Sequence, residues 1–157
     1  MTTIKGITGT HTFVLEETKV TRYVALAETA GGFTIPSPAF PLSDRHIQPI
    51  EFPGVIASAS VIFFRTRHTG RPRFTVRINE APLTQYSFTD DDPPERTWHE
   101  IIPARLPDGP TLRAPNNELV FGVSGDGAVT FGDVVILYTS NELTVKVPIV
   151  LSATEAR

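Results

Sequence analysis

Five of the chain's eleven arginines stand close together: Arg65, Arg67, Arg71, Arg73 and Arg77. A guanidinium is a planar fork of donors that can grip a carboxylate or a phosphate through two hydrogen bonds at once. The spacing gives this cluster a geometry, because side chains alternate between the faces of a strand. In the run 61–67, Ile62 and Phe64 share one face, and Arg65 and Arg67 lie opposite. In the run 73–79, Phe74, Val76 and Ile78 share a face, and Arg73 and Arg77 lie opposite. Burying the apolar residues together sends all four of these arginines to one outer surface. The intervening His68-Thr69-Gly70-Arg71-Pro72 has the composition of a hairpin turn of several residues. The deduction depends on register, since a slip of one residue would split the set. Two uses fit such a face. It binds an anionic or polar ligand, or it is a solvated sheet surface whose stems pack over the strands and whose charge nearby acids neutralise. Asp90, Asp91 and Asp92 are close enough in sequence to serve as those acids.

The other chemistry-bearing residues are weaker signals. Asp90-Asp91-Asp92-Pro93-Pro94-Glu95 is a compact acidic loop, which suits either a solubilising turn or calcium, a cation that takes six to eight oxygens. His11, His46, His68 and His99 are too widely spaced to place two metal ligands on one strand. No Gly-x-Ser-x-Gly elbow is present. Gly125-Asp126-Gly127 has the composition of a tight hairpin turn, with no helix following it to receive a phosphate. Trp98, the single tryptophan, serves either as a core anchor or, with Tyr86, as a stacking surface for a ligand.

The elements that must position these residues are strands. Pro, Gly and Asp clusters recur between short β-branched and aromatic runs, the pattern of an all-β sandwich or barrel. The expected strands are 12–16, 20–27, 46–52, 55–67, 73–79, 83–88, 98–102, 118–124, 129–138 and 143–151. The Pro-rich segment 31–41 reads as a long loop, because proline cannot serve a central strand. A length of 157 residues is enough for one domain with a substantial core, expected over 1–152 with a loose tail at 153–157. There is no cysteine, so disulfides, thiolate metal sites and a cysteine nucleophile are excluded. The net charge of −3 argues against nucleic acid as a partner, since such binding rests on phosphate neutralisation. No basic start followed by an apolar run marks a signal peptide, and no apolar run reaches the roughly 20 residues that span a bilayer. The expectation is a cytoplasmic protein without a membrane partner.

Several of these runs together resemble the galactose-binding-like jelly rolls, a superfamily that includes many carbohydrate-binding modules. The likeness covers about positions 55–140. It is carried by Ala59-Ser60-Val61-Ile62-Phe63-Phe64, by Phe74-Thr75-Val76-Arg77-Ile78-Asn79, by Asn117-Glu118-Leu119-Val120-Phe121 and by Phe131-Gly132-Asp133-Val134-Val135-Ile136-Leu137. The resemblance implies an antiparallel two-sheet β-sandwich of jelly-roll topology. It further implies that Asp133, with Glu16 or Glu17 near the N-terminus, could hold a structural calcium, and that Tyr86, Phe88 and Trp98 are the aromatics available to a sugar.

Three functions follow as expectations. The first is a non-catalytic module binding carbohydrate or a small anion through Arg65, Arg67, Arg73 and Arg77, with Tyr86 and Trp98. The second is a structural or assembly protein, a homo-oligomer paired through exposed strands such as 143–151 or through the arginine face. An enzyme is the third and least favoured, because a fold never excludes a grafted site.

Overall fold

The computed structural model describes residues 2–6, 9–26, 32–36 and 44–146. Ten strands follow in chain order: β1 (Thr2–Gly6), β2 (Gly9–Leu26), β3 (Phe33–Ile35), β4 (Arg45–Ile50), β5 (Ser60–Ile78), β6 (Ala81–Ser87), β7 (Glu95–Ile102), β8 (Arg105–Leu106), β9 (Gly109–Pro110) and β10 (Asn117–Lys146). The described residues contain no helix, so the all-β expectation holds, and every pairing with a recorded register is antiparallel. The hydrogen-bonded order is β1-β2-β10-β5-β6, with β3 and β4 also on β10 and β7 on β5; β8 and β9 form a separate small ladder.

The chain divides into two compact units, Met1–Val20 with Asn141–Arg157, and Thr21–Ser140. In the first unit β1 pairs with β2 from Thr2↔Phe13 to Gly6↔Gly9, and Asn141 Nδ2 donates to Glu17 Oε1 at 2.6 Å. The expected tail 153–157 and the end of the expected strand 143–151 lie outside the described residues.

The second unit is organised by two long partners. β5 and β10 pair from Leu119↔Ile78 to Leu137↔Val61. The outer edge of β5 is shared by β7 along its first half and by β6 along its second. β10 carries β4 at residues 117–122 and β3 at residues 129–131. Within the segment 31–41, then, Phe33–Ile35 is a short strand where a loop was expected.

Two expected hairpins prove to be one corner. Neither 68–72 nor 125–127 reverses the chain, because the β5–β10 ladder runs through both and Gly70 faces Gly127 across it. Both glycines have positive φ, 70° and 129°, as turn glycines would. Here that freedom bends two strands together. A Cβ on Gly127 would collide with the Thr69 carbonyl oxygen, and one on Gly70 would come within 2.6 Å of the Asp126 carbonyl oxygen. The bend brings residues ten positions apart on one strand into contact. In a straight strand they would be roughly 33 Å apart, yet the rings of Phe121 and Phe131 are separated by 4.8 Å and those of Phe64 and Phe74 by 6.1 Å.

These rings centre the core. Phe52, Ile62, Phe64, Phe74, Val76, Ile78, Leu119, Phe121, Phe131 and Ile136 are essentially inaccessible to solvent. The loop leading back to β10 is pinned by two asparagines. Asn117 is buried and accepts the Arg113 backbone N–H at 2.9 Å, while its amide donates to the Arg113 and Ile50 carbonyls. Asn79, at φ 50°, donates to the Asn117 Oδ1 and the Thr111 carbonyl, and its own Oδ1 accepts the Glu118 N–H. The amide groups of Asn79 and Asn117 therefore find partners, as burial demands.

Candidate functional site

The arginines reach the outer surface as their parity requires, with Ile62, Phe64, Phe74, Val76 and Ile78 all buried on the other side. The corner at Gly70 then divides them. Before it, Arg65 is held at Glu95 (3.1 Å) and at Asp133 (2.9 Å), and Arg67 reaches the same Glu95 at 3.4 Å. At the corner, Arg71 Nε donates to Asp90 at 2.8 Å. Beyond it, Arg73 and Arg77 make no hydrogen bond or ion pair among the described residues. The arginines before and at the corner are thus neutralised by nearby acids, and the two beyond it are not.

Arg73 and Arg77 belong to a groove of about 270 Å³ whose walls and floor come from three strands. From β5 come Arg73, Thr75 and Arg77. From β10 come Val120, Gly122, Val123 and Ser124, and Asp44 and Arg45 lie at the start of β4. Register explains their convergence. Gly122 is paired with Thr75 on one side and with Arg45 on the other. A Cβ on Gly122 would come within 2.8 Å of Thr75 Oγ1, so the glycine makes room for that hydroxyl in the groove. Arg45 contacts Asp44 at 3.5 Å. The groove thus offers three guanidinium groups, two hydroxyls and one carboxylate.

The aromatic candidates are built into the scaffold. Trp98 is buried, stacks beside Phe64 with ring centroids 6.2 Å apart, and donates its indole N–H to Thr66 Oγ1 at 2.8 Å. The Arg96 guanidinium covers its ring at 4.5 Å from the centroid, leaving that face no room for a sugar. The Tyr86 hydroxyl donates to Asp92 at 2.7 Å, and Asp92 also accepts the Thr89 N–H and hydroxyl. The hydrogen bond from Tyr86 is the main cause holding the Asp92 carboxyl below its ordinary value, helped by the Thr89 backbone N–H. The same bond raises the Tyr86 phenol. Two of the three aspartates in the acidic loop are therefore engaged with the protein, Asp92 in this cluster and Asp90 with Arg71.

The residues suggested for calcium fall in separate units, Glu16 in the first and Asp133 in the second. Asp133, at φ 50°, sits in a bulge where the β5–β10 register shifts between Gly132 and Val135. The extra residue turns its carboxylate outward to Arg65 and returns Val134 to the core. No group of three or more His, Asp or Glu side chains arranged for a metal occurs among the described residues.

Sequence reasoning missed Asp44, Arg45, Thr75 and Gly122. One signal was available. Gly122 interrupts an apolar strand between Phe121 and Val123, which marks a close approach by another group. Arg45 became a candidate only once β4 was placed beside β10.

At the level of class, this is an all-β protein with an antiparallel sheet. No protein-family model, no curated protein and no solved structure matches the chain. No helix among the described residues is long and apolar enough to cross a membrane.

Proposed function

We propose that this chain is a non-catalytic binding module that takes an anionic ligand, an acidic carbohydrate or another small polar anion, in the groove between Arg73 and Arg77. The carrying observation is that these two guanidiniums have no protein partner among the described residues, while Arg65, Arg67 and Arg71 all do. Paired surface charges contribute little to stability, and their donors are already engaged. Unpaired arginines around a concavity retain their full capacity for bidentate contacts. The fold that goes with this reading is a two-layer antiparallel sandwich of jelly-roll type. It is supported by the bend of β5 and β10 at the glycine corner and by the ring contacts across the core.

Isothermal titration with inorganic phosphate and with glucuronate tests the reading. Saturable binding of either, reduced at least about tenfold by Arg73→Glu with Arg77→Glu and unaffected by Arg67→Ala, is the expected result. Titrations that show no binding, or binding indifferent to the double variant, would sink it.

A second reading, assembly through exposed strands, has its own observation in the first unit. Residues 14–19 and 142–145 are all exposed. Successive residues of a strand face opposite ways, so both faces there are open, and they carry Val14, Leu15, Leu143 and Val145 at 44–69% exposure. Such open apolar faces invite packing against another chain.

A further inference from the structure

We infer that the groove is made for a phosphate dianion carried by a small hydroxylated molecule, that is, a phosphomonoester such as a sugar phosphate. The inference rests on the anion-binding reading and narrows it. Three observations carry it.

The first is charge. The side chains lining the groove include Arg45, Arg73 and Arg77 against a single carboxylate, Asp44, an excess of two positive charges. A carboxylate would neutralise half of that. A phosphomonoester carries about −1.5 to −2 near pH 7, with a second pKa of about 6, and so matches the excess.

The second is convergence. Arg73 and Arg77 flank Thr75 on one face of β5, each roughly 6.6 Å along the strand from it at about 3.3 Å per residue. Arg45 lies two strands over in the same row, through Gly122. That row lies among the three arginines that line the groove. A phosphate group presents three oxygens to its surroundings, whereas a carboxylate presents two in one plane.

The third is Gly122. Its φ is not positive, so the backbone does not demand glycine there. Glycine inside a strand weakens it by roughly 0.5–1 kcal/mol relative to Ala. What its bare Cα provides is room for the Thr75 hydroxyl, which a Cβ would meet at 2.8 Å, in the row between Arg73 and Arg77. Asp44 and Ser124 at the rim supply hydroxyl partners for the rest of the ligand. A volume of about 270 Å³ suits a molecule of monosaccharide phosphate size.

The test is titration calorimetry with glucose 6-phosphate, inorganic phosphate and glucuronate at pH 5.0 and 7.5. The ionisable groups lining the groove are Asp44 and Arg45 at β4 and Arg73 and Arg77 on β5, while the lining residues of β10 are uncharged. His46, next along β4, stacks on Phe33. Glucuronate keeps its charge across this range and so reports any change in the protein itself. Glucose 6-phosphate is expected to bind more tightly than either other probe and to gain about tenfold in affinity from pH 5.0 to 7.5, following its second ionisation. Gly122→Val is expected to lower that affinity at least tenfold. Arg45→Gln, at an exposed position, gives the same readout should Gly122→Val fail to fold. If glucuronate binds as tightly as glucose 6-phosphate and loses affinity in Arg73→Glu, the anion-binding reading stands and the phosphomonoester inference falls. Inorganic phosphate matching the ester would overturn the hydroxylated part of the ligand. If none of the three binds, both readings fall together.

Discussion

At the scale of single residues, the same side chain takes opposite roles according to what the fold sets beside it. Arg65 is a structural cation between Glu95 and Asp133, while Arg73, eight residues on along the same strand, has no such neighbours among the described residues. Tyr86, Asp92, Arg96 and Trp98 form a second compact example. Tyr86 holds the Asp92 carboxyl ionised, and Arg96 covers both aromatic rings. Tyr86→Phe removes the largest cause of the lowered Asp92 pKa, so that carboxyl should titrate closer to its ordinary range, as followed by carboxyl-carbon NMR. The linkage has a definite sign. A carboxylate with a depressed folded-state pKa contributes stability above its unfolded pKa and loses it as pH falls through the folded one. The wild-type protein should therefore lose more stability than Tyr86→Phe when both are acidified below the ordinary aspartate range. The raised Tyr86 phenol acts at the other end. Its contribution is present below the unfolded pKa near 10 and is lost as pH rises through the folded value.

At the scale of elements, the decisive feature is the corner shared by β5 and β10. Gly127→Ala places a Cβ against the Thr69 carbonyl at a φ of 129°. It should destabilise the protein by at least about 1–2 kcal/mol, measured by urea denaturation. Ala at Gly109, where φ is also positive but nothing lies within 4 Å, isolates the backbone part of that effect. The corner also marks where the sequence stopped being legible. The alternation of Ile62, Phe64, Phe74, Val76 and Ile78 with arginines told the burial of each residue correctly, because parity is a local property of a strand. The two glycine-containing segments 68–72 and 125–127 misled, because positive-φ glycines look the same in a hairpin and in a bend of two paired strands. What separates the two is the partner, Gly70 for Gly127, and no local pattern states which distant residue faces which. The groove was half legible for the same reason. Arg73 and Arg77 followed from parity, while Asp44, Arg45 and Gly122 depended on β4 lying beside β10. Trp98 and Tyr86 were visible as aromatics, but their covering by Arg96 and their hydrogen bonds were not.

At the scale of the whole molecule, the outward surfaces divide into polar and apolar parts. The outer face of the β7–β5–β10 strip carries Ile101, Val61 and Leu137 in one row and His99, Phe63 and Val135 in the next. Ile101 is 72% exposed. With the open apolar residues of the first unit, this bears on assembly. Size-exclusion chromatography with light scattering decides it. If strands of the first unit join copies, the wild type elutes as an oligomer and Leu143→Asp with Val145→Asp elutes as a monomer. A monomeric wild type would count against assembly. The glycine corner has one more consequence, and it concerns time. Gly70 and Gly127 are far apart in the chain, so the bend cannot form until β10 has been made and carried back to β5. Closing so large a loop is an entropic barrier that precedes most of the core contacts, and chains dominated by such pairings fold slowly. Until β10 arrives, Ile62, Phe64, Phe74 and Val76 stand exposed on β5, and during that interval the growing chain is most open to aggregation.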